Sequence, residues 1–79
     1  MKTDVDKIKM DVGSNAGIVW RALSEDRAGM DLDTLILKVG LSLFEVAAAI
    51  GWLARENKIG MMTSEDGKLR LSVYQEYYY

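Results

Sequence analysis

Three stretches of the chain repeat their apolar residues with the period of an α-helix. In the first stretch the apolar positions are Ala16, Val19, Trp20 and Leu23. In the second they are Leu32, Leu35, Ile36 and Val39, and in the third they are Leu43, Val46, Ala49, Ile50 and Leu53. Spacings of three and four residues gather these side chains on one face of a helix. The pattern therefore predicts helices over residues 14–26, 31–39 and 42–57.

Capping residues stand where the second and third helices should begin and end. Asp31 suits the start of the second helix, because its carboxylate accepts hydrogen bonds from first-turn N–H groups. Gly40 follows that helix as a left-handed stop. Ser42 and Glu45 have the S-x-x-E spacing of a capping box, which starts the third helix. Only Gly40 and Leu41 separate the two helices, so the sequence predicts a helix-turn-helix.

The C-terminal part of the chain changes to the two-residue alternation of β-strands. Leu69, Leu71 and Val73 alternate with polar residues, so that one face of this strand is buried. The preceding segment 64–67 ends in Asp-Gly, a frequent hairpin turn. Residues 59–73 are therefore predicted to form a two-stranded hairpin, and a third short strand is expected near Met30.

The N-terminal segment fits two patterns. Ile8, Met10 and Val12 alternate with charged residues, as in a half-buried strand. Val5, Ile8 and Val12 also fit the apolar stripe of a helix. We interpret residues 1–12 as a short strand or ordered arm, and the helical pattern is the alternative.

A helix, a helix-turn-helix and a hairpin, in this order, form a winged helix domain. The predicted fold is a single α+β domain, mainly α, over residues 1–79, with a three-helix core and a two- to three-stranded β wing. Two groups of residues carry a more specific resemblance: Asn15–Gly17 with Val19-Trp20 and Ala22-Leu23, and Ala49–Glu56 with Lys58-Ile59. Residues 12–73 thereby resemble a family of small bacterial winged helix-turn-helix proteins of unknown function. The resemblance implies this fold, a homodimer and, by analogy, a role with nucleic acid.

Composition removes several classes of function. The 79 residues include no cysteine and no histidine, which excludes disulfides, thiolate or histidine catalysis and ordinary zinc sites. No phosphate-binding or catalytic motif is present, so we expect neither an enzyme nor a bound cofactor or metal. The longest uncharged run, Val46 to Ala54, is about half of the roughly 20 residues that span a bilayer. The N-terminus lacks the apolar region of a signal peptide, so we expect a cytoplasmic protein that does not bind membranes.

The third helix has an unusual outward face for a winged helix. Opposite its core stripe lie Phe44, Ala48, Gly51 and Arg55, with Trp52 on one flank. Small residues let a second helix approach, and the aromatic residues supply area to bury. We predict that Phe44, Ala48, Gly51 and Trp52 contact another protein surface, foremost that of a second copy of the chain. In the alternative, Phe44 packs inside its own subunit.

The competing interpretation is a small DNA-binding transcription regulator. Base readout needs polar or cationic side chains on the outward face of the third helix, and this helix carries one arginine against two glutamates. Phosphate contacts would instead come from the wing, through Lys58, Lys68 and Arg70, together with Lys38 and Arg55. The net charge of −2 gives no general attraction to nucleic acid.

The remaining aromatic residues have several interpretations. Trp20 and Trp52 would suit ligand stacking, but their helical spacing favours core or interface anchors. Residues 74–79 form a tyrosine-rich tail, in which Tyr77 and Tyr78 are candidate interface residues. The alternatives for the tail are stacking on single-stranded nucleic acid and a frayed terminus.

Overall fold

In the computed structural model, which describes the backbone of residues 4–73 and the side chains of residues 7–73, three helices pack against a small antiparallel sheet. The elements follow one another as α1 (Asp4–Ser24), β1 (Met30–Asp31), α2 (Leu32–Val39), α3 (Leu43–Arg55), β2 (Ile59–Thr63) and β3 (Leu69–Val73). The predicted mainly-α winged helix fold is confirmed, including the third short strand at Met30.

The first helix begins ten residues earlier than the sequence pattern predicted. Residues 4–12 belong to α1 and form neither a strand nor an arm, so the preferred interpretation of the segment 1–12 was wrong over this range. The helical alternative prevails because Val12 continues the stripe of Ala16 and Val19, which are buried against the rest of the domain. Gly13 does not end the helix, since a glycine inside a helix costs only about 1 kcal/mol.

The helix-turn-helix has the predicted caps. The Thr34 N–H donates to Asp31 Oδ1 at 2.8 Å, and the Gly40 N–H donates to the Ile36 carbonyl at 3.0 Å. At the start of α3, the Glu45 N–H donates to Ser42 Oγ at 3.1 Å, and the Ser42 N–H donates to Glu45 Oε1 at 2.9 Å. These two bonds complete the capping box, and the axes of α2 and α3 meet at 109°.

The third helix ends at Arg55, two residues before its predicted end. Asn57 has a left-handed φ of 58°, and its N–H donates to the Ala54 carbonyl at 3.0 Å. The Lys58 N–H donates to the Leu53 carbonyl at 2.9 Å. This pair of bonds is a Schellman motif with asparagine in the left-handed position usually taken by glycine. It turns the chain directly into β2.

The sheet has the order β1-β3-β2, so the long hairpin strand β3 lies in the middle. Met30 pairs with Leu71 on one side, and Met61 pairs with Leu71 on the other. Just before β1, Gly29 has a φ of 83°, and a Cβ there would lie under 3.0 Å from the Leu71 carbonyl oxygen. The loop can therefore approach β3 only with glycine at this position.

The core lies between the three helices and the inner face of the sheet. Its largest fully buried side chains are Leu23, Leu35, Leu71, Val19 and Val46. In the part of the chain whose side chains are described, no charged or polar residue is buried. Apolar burial of this kind contributes about 1.5–3 kcal/mol for each large side chain.

Candidate protein-interaction surface

The outward face of α3 is apolar and uncovered. Its core side holds Val46, Ala49, Ile50 and Leu53, all buried. On the opposite side Phe44 is 71% exposed, so it does not pack inside the described part of its own subunit. A side-chain carbon added at Gly51 would meet no atom within 4 Å. Phe44, half-buried Ala48 and Gly51 therefore form an exposed apolar surface, which we call the α3 face.

Trp52 connects the α3 face to the first helix. Its indole is 44% exposed, and its Cζ2 atom lies 3.9 Å from the place that a Cβ on Gly13 would take. The indole therefore lies against α1 and keeps part of its surface exposed. Trp52 is thus both a packing residue within the subunit and an uncovered aromatic surface at the edge of the α3 face.

Further apolar side chains are exposed on the helix-turn-helix and the wing. Leu37 on α2 is 83% exposed, and the other large examples are Leu43, Met61 and Met62. The sequence interpretation did not single out Leu37. The signal was present, however, because Leu37 falls outside the stripe of Leu32, Leu35, Ile36 and Val39 that α2 buries or half-buries. An apolar residue off the buried stripe of a short helix is necessarily exposed.

Two of the five candidate DNA-contacting cations are engaged elsewhere in the subunit. Arg70 Nη2 donates to the Ala28 carbonyl at 3.1 Å and to the Gly29 carbonyl at 3.2 Å. Lys38 Nζ lies 3.2 Å from Glu25 Oε1. Arg70 thereby holds the loop before β1 against β3 and is a structural residue. A phosphate contact by Arg70 would break two hydrogen bonds of the fold.

The other three cations face different surroundings. Lys68 lines a polar groove together with the acidic residues Asp31, Glu65 and Asp66. Lys58 lies in a separate groove between α1 and α3. Arg55 is exposed at the end of α3. The structure therefore does not gather the five cations into one basic surface.

Hydrogen bonds to backbone N–H groups hold several carboxylates in their charged form. The pKa of Glu45 is lowered chiefly by the Ser42 N–H, with smaller contributions from the Ser42 hydroxyl and the Asn15 side chain. The pKa of Asp31 is lowered by the Thr34 N–H in the same way. Both shifts come chiefly from helix capping. In residues 7–73, no group of three or more acidic side chains is placed to hold a metal ion.

A groove between α1 and α3 lies beside the α3 face. It has a volume of about 420 Å³, and its lining residues are Gly13, Ala16, Gly17, Trp20, Arg21, Trp52, Leu53 and Lys58. Both tryptophans of the chain line it. The sequence interpretation considered them separately, because no local pattern shows that residues 20 and 52 share one groove.

Comparison with known proteins agrees with this architecture. Residues 6–73 match the winged helix-turn-helix domain family DUF2582, a domain of unknown function. The chain belongs to this family. Protein BT2368 from Bacteroides thetaiotaomicron, which has a solution NMR structure, is 37% identical in sequence to this DUF2582 chain. The match covers 90% of this chain and 94% of BT2368, and the two structures superpose with a TM-score of 0.73. No curated protein sequence matches the chain.

Within residues 4–73 no single helix is both long and apolar enough to cross a membrane, and only the pair α2 and α3, bent by 109°, meets the two conditions together. The candidate interface residues Tyr77 and Tyr78 lie outside the described residues, so their role stays a prediction.

Proposed function

We propose that this domain is a protein-interaction module without enzymatic activity, and that its α3 face joins two copies of the chain. The observation that carries the proposal is the exposure of Phe44, at 71%, beside Ala48 and Gly51. In a winged helix this is the surface that reads DNA when it is polar or basic. Here it offers an aromatic ring and a backbone that another helix can approach closely.

The energetics require more than Phe44. Burial of one such ring contributes about 1.5–3 kcal/mol, whereas association costs roughly 4–15 kcal/mol in lost freedom of motion. A two-fold contact uses each residue twice, so Phe44 and Trp52 together contribute four aromatic side chains. A standard interface of about 800 Å² for each partner is about one-seventh of the 5835 Å² that the chain exposes. Leu43 on α3, which is 60% exposed although its position fits the core stripe, and Leu37 on α2, which is 83% exposed, are further uncovered apolar side chains.

The test is the mass of the protein in solution. Light scattering after size-exclusion chromatography should give twice the chain mass of 8.9 kDa for the wild type. Phe44→Glu should give a monomer with an unchanged circular-dichroism spectrum, since it places a charge in the centre of the contact. The matched control is Met62→Glu, an equally exposed apolar residue on the wing. A monomeric wild type, or a dimeric Phe44→Glu variant, refutes the proposal.

The second candidate function is a DNA-binding regulator, which the winged helix fold itself favours. Arg55, Lys58 and Lys68 are exposed and would contact phosphates with little base specificity. A mobility shift on generic duplex DNA near 50 mM salt tests this function, because three phosphate contacts give a clear salt dependence. Loss of the shift in an Arg55→Glu, Lys68→Glu variant supports this function. A protein that produces no shift at low salt excludes it.

A further inference from the structure

The groove between α1 and α3 has the chemistry of a small-molecule site. We propose that it binds a small planar aromatic anion, whose ring lies against Trp20 and Trp52 and whose negative group is bound by Arg21 and Lys58. This inference concerns a surface other than the centre of the α3 face, and Trp52 lies at the edge of both surfaces.

The floor of the groove is apolar and low. Ala16 and Leu53, each 3% exposed, form its base. Gly13 and Gly17 carry no side chains, so that the Trp52 indole and the Arg21 guanidinium lie close against α1. Trp20 is 40% exposed and Trp52 is 44% exposed, so each indole has uncovered ring surface. Ring stacking on such surfaces is worth about 0.5–1.5 kcal/mol beyond the area buried.

The polar groups of the groove are donors only. Tryptophan, arginine and lysine side chains carry N–H groups and no acceptor, and the lining includes no acidic, amide or hydroxyl side chain. Arg21 and Lys58 form no salt bridge within residues 7–73. The Arg21 guanidinium extends along the floor, because its Nη1 atom lies 3.6 Å from the place that a Cβ on Gly17 would take. A ligand that complements these side chains supplies acceptors and negative charge.

The size of the groove selects the class of ligand. A volume of about 420 Å³ is near the lower end of the roughly 300–1,000 Å³ of ligand pockets. It suits a molecule of one or two fused rings with a single anionic group, and it is too small for a dinucleotide cofactor. The anionic group is a carboxylate or a phosphate, since both are bound by the same arrangement of guanidinium and ammonium.

The experiment follows the indole N–H signals of ¹⁵N-labelled wild-type protein by NMR. The probes are 2-naphthoate, 2-naphthyl phosphate and the uncharged analogue 2-naphthamide. Both tryptophan signals should shift and saturate with the two anions, and the tighter anion identifies the preferred group. 2-Naphthamide should bind at least about tenfold more weakly, because a hydrogen bond to a charged group is worth roughly that factor.

Two double variants with the same loss of charge locate the anion. Arg21→Gln with Lys58→Gln should weaken 2-naphthoate binding by at least about tenfold. Lys9→Gln with Arg27→Gln, both outside the groove, should leave it unchanged. Absence of saturable indole shifts at millimolar probe, equal binding of 2-naphthamide, or equal losses in the two variants overturns the proposal. Repeating the titration with Phe44→Glu separates this result from the state of association.

Discussion

The contact between Gly29 and β3 allows a sharp test of the fold. Gly29→Ala introduces two costs. A left-handed φ costs an L-residue about 1–2 kcal/mol, and the new methyl group lies under 3.0 Å from the Leu71 carbonyl oxygen and 3.1 Å from Ser72 Cβ. Leu71 cannot move away freely, because it pairs with Met30 on one side and Met61 on the other. Relief of the clash therefore separates β1 from β3.

The structure supplies a matched control for the first of these costs. Gly40 has a φ of 70°, close to the 83° of Gly29, but a Cβ at Gly40 meets no atom within 4 Å. Gly40→Ala should therefore cost only about 1–2 kcal/mol. Gly29→Ala should cost about 3–5 kcal/mol, because it also disturbs the two hydrogen bonds of Arg70 to this loop, which together contribute about 1–3 kcal/mol.

Urea denaturation followed by far-ultraviolet circular dichroism measures both variants. A domain of this length has about 4–12 kcal/mol of stability, so Gly40→Ala should unfold in one cooperative transition with the wild-type slope. Gly29→Ala should lose at least about 2 kcal/mol more, or fail to fold. Equal losses in the two variants would mean that the loop can retreat from β3, and the close approach would then not explain the glycine.

Three further predictions concern single side chains. Arg70→Met should destabilise the domain by about 1–3 kcal/mol, because two loop carbonyls lose their hydrogen-bond donor. The control Lys68→Met, at an exposed position, should change stability by less than about 0.5 kcal/mol. Equal effects of the two variants in urea denaturation would contradict the structural role of Arg70. The lowered pKa of Glu45 should add stability that is complete above the pKa of this group in the unfolded chain, near 4, and that is lost as the pH falls through its pKa in the folded chain. Glu45→Gln keeps the capping box and should reduce this acid dependence of the melting temperature. Gly51→Ala should raise the stability of the monomer by about 0.5–1 kcal/mol through its higher helix propensity. It should also weaken self-association, which light scattering measures. An unaltered dimer would place the contact elsewhere.

Signals that act over a few residues were the ones that the sequence made predictable. Ser42 and Glu45 lie in the same helical turn, and the two bonds between them are the predicted capping box. The Asp-Gly turn closes through the Gly67 N–H, which donates to the Ser64 carbonyl at 2.9 Å. Such bonds depend on a short stretch of sequence, so the remainder of the chain does not alter them.

The start of α1 and the position of Arg70 depend on distant residues. Over Ile8 to Val12 the strand and helix periods both fit, and the choice depends on which surface is available to cover Val12. Arg70 lies on the alternating strand as an outward residue, which led to its interpretation as a phosphate contact. Its actual partners, the carbonyls of Ala28 and Gly29, are more than 40 positions away in sequence. No local pattern identifies such partners.

The two candidate surfaces, the α3 face and the groove between α1 and α3, also differ in whether a local sequence pattern predicts them. The face of α3 that holds Phe44 was predictable, because the helical period of the core residues determines which positions point outward. The groove was not, because it requires Trp20 and Arg21 on α1 to lie beside Trp52 and Lys58, more than 30 positions later.

The two faces of α3 are constrained by different physical demands. Val46, Ala49, Ile50 and Leu53 are buried, so replacement of any of them by a charged residue would disrupt the core. The outward positions, including Phe44 and Gly51, are exposed and make almost no contribution to packing. A winged helix can therefore exchange a DNA-reading face for an apolar one without any cost to its fold. A contiguous exposed apolar patch lowers solubility unless it is covered, and the proposed association of two copies would cover the patch around Phe44.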